Sequence, residues 1–209
     1  MPKKASPKKT AAKTTDVAAK VLETAMKLAA EGKWRDLSLA EIADAAKIPL
    51  VKVYPVYQSK QAILGALFRQ IDTAVLAAEE PGVREGPPRD RLFDVLMRRF
   101  EALRPYRQSL ATIIEAQACD PVAAVCGMAR LGRSMACMLE AAGFSTSGVR
   151  GVLRIKALAV AYVATLRVWL GDESPDMAAT MAALDRHLGR LESAAKCLSR
   201  LRYRRPEFA

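Results

Sequence analysis

Apolar residues recur every three or four positions along almost the whole chain, and no stretch alternates with the two-residue period of a half-buried strand. The pattern predicts an all-α fold of about nine helices. A first helix starts near Thr15 or Asp16, carries Val17, Val21, Ala25, Leu28 and Ala29 on one face, and stops at Gly32. Ser38-Leu39-Ala40-Glu41 has the form of a capping box, in which serine and glutamate each satisfy a free amide at a helix start. Leu39, Ile42, Ala43 and Ala46 then share one face, Ala46-Lys47-Ile48 makes a turn, and Pro49 suits the first position of a second short helix. Val53, Tyr54 and Tyr57 follow. Ser59 then caps a longer helix from Lys60 to about Ala78, with Ile63, Leu64, Leu67, Phe68, Ile71 and Val75 at helical spacing. Two short helices joined by a tight turn and braced by a third form a helix-turn-helix, whose second helix can enter a DNA major groove. Trp34 reads as core beneath it, with a phosphate contact as the alternative.

Beyond this segment, Glu79 to Pro88 mixes proline, glycine and charge without a period, which marks a linker. The following segments are helical again. Leu92, Phe93, Leu96, Met97 and Phe100 form one stripe, with Arg98 and Arg99 placed off it. A helix from Pro121 and a long one over 147–170 come next, and a last helix starts at Pro175. The expected organisation is a disordered basic tail at 1–15, a helix-turn-helix domain with its connecting helix at 16–79, and a linker at 80–88. A helical ligand-binding and dimerisation domain follows at 89–195, and a basic tail at 196–209.

Charge sharpens this picture. The net charge is +11, yet residues 1–15 hold five lysines and no acid, and residues 196–209 hold five basic residues against Glu207 alone. The excess thus lies largely in the tails, which either attract phosphate or are simply solvated. Residues 33–69 add six cations against Asp36, Glu41 and Asp44. Cys119, Cys126, Cys137 and Cys197 form no metal-ligand spacing, and Cys119 and Cys126 read as buried small hydrophobes. His187 has no partner cluster, so neither metal nor cofactor is expected. No nucleophile–base pair, paired catalytic carboxylates or phosphate-binding glycine loop is present, which argues against an enzyme. No apolar signal segment follows the lysine-rich start, and the longest nearly apolar run, Ala157 to Leu166, is too short to span a bilayer. A cytoplasmic protein is expected.

The run Leu37-Ser38-Leu39-Ala40-Glu41-Ile42-Ala43, the turn, Val53-Tyr54 and Tyr57-Gln58-Ser59-Lys60-Gln61-Ala62-Ile63-Leu64 resemble the N-terminal domain of TetR-type transcriptional regulators. The resemblance implies a DNA-binding regulator, expected to be a repressor, whose partners are double-stranded DNA, a second copy of the chain and a small apolar effector. It places DNA contacts at Ser38, Pro49, Leu50, Val51, Lys52, Tyr54, Tyr57 and Lys60. Leu50 and Val51 offer bases only apolar contact, for instance with a thymine methyl, while Lys52, Tyr54, Tyr57 and Lys60 are the candidates for phosphate. The expected effector pocket is lined by Phe93, Met97, Phe100, Met128, Met135 and Trp169, although core filling is the commoner use of such residues. A two-fold dimer is expected through Ala157, Ala161, Ala164, Ala179 and Ala183, which suit close packing inside one chain equally well. A second resemblance covers Trp169 to Met177, Thr180 and Leu184-Asp185-Arg186. It points to a TetR-like accessory family of ubiquinone biosynthesis that binds lipid rather than DNA. Membrane contact is expected only under that reading.

Overall fold

The computed structural model describes residues 7–78, 86–118 and 120–203, with side chains from residue 15 to residue 197. All regular secondary structure among the described residues is helical, with no strand. In order they form α1 (Pro7–Ala30), α2 (Leu39–Ala45), α3 (Leu50–Val53), α4 (Lys60–Ala77) and α5 (Pro88–Leu103). A 3-10 turn (Arg104–Tyr106) leads to α6 (Arg107–Ala118), α7 (Pro121–Ala141), α8 (Gly148–Gly171) and α9 (Ala178–Tyr203).

Two compact units result, and they interleave in sequence. The first holds Met1–Ile71 and Arg104–Arg130, and the second holds Asp72–Leu103 and Leu131–Ala209. Residues 104–130, expected in the second domain, therefore group with the helix-turn-helix. The reason is a set of contacts that span about eighty residues of sequence. Ser109 Oγ donates to the Met26 carbonyl at 2.7 Å, Thr112 Oγ1 to Ala29 at 2.6 Å, and Gln108 Nε2 to Ala30 at 3.2 Å. These side chains of α6 thus stitch it to carbonyls in the last turns of α1, where the Ala29 carbonyl also accepts the Gly32 amide at 2.9 Å. Around this seam Val21, Ala25, Ala29, Trp34, Ile42, Val53, Ile63, Leu64 and Leu67 are buried. Trp34 is thus core.

Helix limits differ from expectation at both ends. α1 begins at Pro7 rather than Thr15, because proline at the first turn loses no hydrogen bond and the lysines and alanines that follow are good helix formers. α9 begins at Ala178 and continues to Tyr203, into the expected basic tail. Pro175 lies before it in a turn where Met177 takes φ +53°.

The second unit has α8 packed along α9, with α5 also against α9. The Phe100 ring stacks on Tyr162 at 4.9 Å and tilts against Trp169 at 5.8 Å. The turn between α8 and α9 is organised by Asp172. Its carboxylate accepts bonds from the Thr180 amide at 2.8 Å and hydroxyl at 2.6 Å, and from the Ser174 amide at 3.2 Å and hydroxyl. These bonds, the Ser174 hydroxyl first, hold the Asp172 carboxyl well below the usual carboxylate range. Among the described residues α7 is long and apolar enough to cross a membrane, a segment that the expected longest run, Ala157 to Leu166, had missed. Arg130 and Arg133 lie near its middle, and Met135 and Met138 are buried in the protein.

Candidate nucleic-acid interface

α2 starts where its capping box dictates. Ser38 Oγ accepts the Glu41 amide at 3.2 Å, and the Glu41 carboxylate accepts the Ser38 amide at 2.8 Å. The Ser38 hydroxyl also donates to that carboxylate, which keeps the Glu41 carboxyl below its ordinary pKa. Both groups are used inside the helix start, so Ser38 shapes the motif by capping α2. The turn after α2 closes with the Ile48 amide on the Ala43 carbonyl at 3.0 Å, which requires Lys47 at φ +56°. That left-handed conformation suits glycine better, and here lysine adopts it.

Pro49 is the N-cap of α3 and sets its direction. The helix has one inward anchor, Val53, which is fully buried. Leu50, Val51 and Tyr54 are 43%, 78% and 59% exposed, and Lys52 is exposed beside them. Leu50, Val51, Tyr54 and Lys52 thus form an exposed, largely apolar face among the described residues.

Two expected phosphate ligands face elsewhere. Tyr57 is buried and its hydroxyl donates to the Ala18 carbonyl at 3.3 Å, with burial raising its phenol pKa. It follows Val53 by four residues and so shares its inward face, whereas Tyr54 points out. Lys60 Nζ donates to the carbonyls of Trp34 at 3.0 Å and Arg35 at 2.8 Å and lies 5.7 Å from the Trp34 ring centroid. It ties the start of α4 to the segment before α2.

The other expected sites are also redistributed. Phe100, Met135 and Trp169 are fully buried core, Phe93 and Met97 are half-buried, and Met128 is 56% exposed in the first unit. The expected pocket set is therefore mainly packing. Ala161 and Ala183 are buried within their own chain by the α8–α9 contact, which removes them from a dimer surface, while Ala157 and Ala164 are half-buried and Ala179 is exposed. The exposed side of α8 instead carries Val149, Leu153 and Val160. Cys126, expected buried, is exposed, and Cys119 lies outside the described residues.

A buried polar cluster in the second unit went unread. Arg99 is 2% exposed, with its Nε 3.1 Å from Asp72 Oδ1. Its other nitrogens donate to the Tyr162 hydroxyl and to Ser134 Oγ at 3.2 Å, and Ser134 donates to Asp72 in turn. Burial raises the Tyr162 phenol pKa. Arg99 follows Leu92 by seven residues and Leu96 by three, so helical spacing already places it on the buried stripe of α5. No group of acids, cysteines and histidine among the described residues can hold a metal ion.

The fold is that of the TetR transcriptional regulators. The crystal structure of the TetR transcriptional regulator from Nitrosomonas europaea ATCC 19718 is similar at TM-score 0.67 and 24% identity, over 83% of this chain and 96% of that one. A TetR transcriptional regulator from Rhodococcus sp. RHA1 is similar at TM-score 0.61 and 20% identity, over 85% and 96%. A transcriptional regulator from the same organism is similar at TM-score 0.52 and 18% identity, over 85% and 96%. Within the second unit, residues 154–195 match the COQ9 family model, on the segment where the sequence carries its second resemblance. Comparison with curated proteins gives no match.

Proposed function

We propose that the chain is a TetR-type DNA-binding transcriptional regulator, a cytoplasmic repressor that acts as a homodimer under the control of a small effector and has no catalytic role. The observation that carries this reading is the bare face of α3, where Leu50, Val51, Lys52 and Tyr54 all point away from the chain's own core. In DNA, Leu50 and Val51 pack against thymine methyls, and Lys52 and the Tyr54 hydroxyl hold flanking phosphates. Ser38 and Pro49 fix the two helix starts, and Tyr57 and Lys60 brace the motif from behind. The dimer forms through the exposed apolar side of α8 at Val149, Leu153 and Val160, with Ala179 and Met181 of α9.

The test is binding of the purified protein to a duplex from its own upstream region beside a scrambled duplex, at two salt concentrations. Preference for the native duplex that survives raised salt supports the reading. Equal, weak binding that collapses with salt means the basic tails alone touch phosphate, and contradicts it.

The COQ9 match over residues 154–195 favours a second reading, a lipid- or quinone-binding accessory protein of ubiquinone biosynthesis. An apolar α3 face is compatible with it, because such a protein has no bases to read. Basic residues 200–205 would then meet an anionic membrane surface. Solvent extraction of the purified protein tests this reading, and a stoichiometric quinone or lipid in the extract would establish it.

A further inference from the structure

The first unit contains a solvent-open cavity, a cleft of about 430 Å³, where α1 faces the 3-10 turn and the start of α6. Its volume lies within the range of small-molecule sites, roughly 300–1,000 Å³. The space has a sequence cause. Ala19 and Ala30 sit at either end of the cavity face of α1, and Pro105 breaks the chain before α6, so small side chains and a turn stand where a larger residue would fill the seam. Leu22 and Met26, both buried, and the half-buried Tyr106 supply its apolar lining. The lining also includes exposed Lys27 and Gln70 and half-buried Tyr106, which carry hydrogen-bond donors, against a single carboxylate residue, Glu23. Ser109 also lines the cavity, but its hydroxyl already donates to Met26.

We infer that this cavity is an effector site for a small organic anion with an apolar body and one acidic head. The body lies on Leu22 and Met26 against Tyr106, and the head meets Lys27 and Gln70. The inference rests on the regulator reading for its consequence and on the cavity for its chemistry. α1 packs on α2 and α3 as well as on α6, and the Tyr57 hydroxyl ties α1 to the end of the helix-turn-helix at Ala18. A molecule wedged beside the Ser109–Met26 stitch therefore shifts the helix on which the reading face is mounted. It favours whichever arrangement of α1 and α6 it binds better. The core positions Phe100, Met135 and Trp169, where a pocket was expected, are filled by packing.

The probe is anilinonaphthalene sulfonate, a fluorescent aromatic body with one anionic head. It is titrated into the full chain and into A19F, which puts a large ring into the lining, K27E, which reverses a lining charge, and Q70A, which trims an exposed side chain. L76S serves as a control at an exposed apolar position of α4 that does not line the groove. One saturable site is expected, weakened about tenfold in K27E and A19F, less in Q70A, and unchanged in L76S. Titrations of A19F, K27E and Q70A that match the wild type overturn the site, as does loss of binding in L76S alone. Melting curves identify a variant that has merely unfolded, and Q70A keeps the test valid if A19F does. The upstream duplex is then added. Dye that lowers duplex affinity of the wild type but not of A19F supports the effector role, and dye that maps to the cavity without changing duplex affinity overturns it. If the wild type binds no duplex at all, the regulator reading fails, whereas the site itself stands or falls on the dye titration.

Discussion

Replacing Arg99 with methionine removes the cation from the buried cluster of the second unit and leaves the Asp72 carboxylate with the Ser134 hydroxyl but no paired cation within the cluster. Arg99 is 2% exposed and Asp72 is 15% exposed, so little water reaches either group. Breaking a buried pair by deleting one partner typically costs about 3–5 kcal/mol, because the remaining charge is uncompensated. Methionine refills most of the volume, so the loss is electrostatic rather than a cavity. Removing the second charge as well, in D72N/R99M, relieves that uncompensated carboxylate. The double variant should then be more stable than R99M, with a coupling of about 1–3 kcal/mol. Urea unfolding followed by circular dichroism measures this. With a slope of about 1–3 kcal/mol per molar urea, R99M should lower the midpoint by at least about 1 M. A drop in R99M below about 1 kcal/mol, or strict additivity in the double variant, would refute the reasoning.

Three further outcomes follow from named contacts. Folding lowers the pKa of Asp172, so its contribution to stability is fully present above the unfolded carboxyl pKa near ~4 and is lost as pH falls below it. Melting temperatures taken from neutral pH downward should therefore fall more steeply for the wild type than for D172N, and parallel curves would count against the assignment. At Gly151 a Cβ would lie 1.9 Å from the Thr146 carbonyl oxygen, so G151A should lower stability by about 1–3 kcal/mol in thermal melts. Y57F loses only the bond to Ala18 and should cost about 0.5–1.5 kcal/mol while leaving duplex affinity unchanged, whereas a fall in affinity would restore Tyr57 to the DNA face.

Local pattern made the helix-turn-helix legible. The capping box at Ser38 and the turn at Lys47 each depend on neighbours a few residues away, and both appear in the structure. Roles that depend on distant partners were not legible. Lys60 looked free for phosphate until the Trp34 and Arg35 carbonyls came within reach of it. Ala161 and Ala183 suited a dimer seam, yet small residues serve a close helix contact inside one chain just as well, and α8 against α9 used them. The regrouping of residues 104–130 with the first unit rests on bonds such as Ser109 to Met26, whose sequence separation no local period reveals. Arg99 is different, since its spacing from Leu92 and Leu96 already marked it as inward, and its charge obscured that signal.

The central claim is that the apolar face of α3 meets DNA bases, and replacing thymine by uracil in the native duplex tests it most directly. Uracil lacks only the C5 methyl, so phosphate contacts and Watson–Crick pairing stay as they were. Each lost methyl contact should weaken wild-type binding about fourfold, in line with ~0.8 kcal/mol per buried methylene-sized group, while a V51A variant should respond less. Equal affinity of the wild type for the thymine and uracil duplexes would contradict the account.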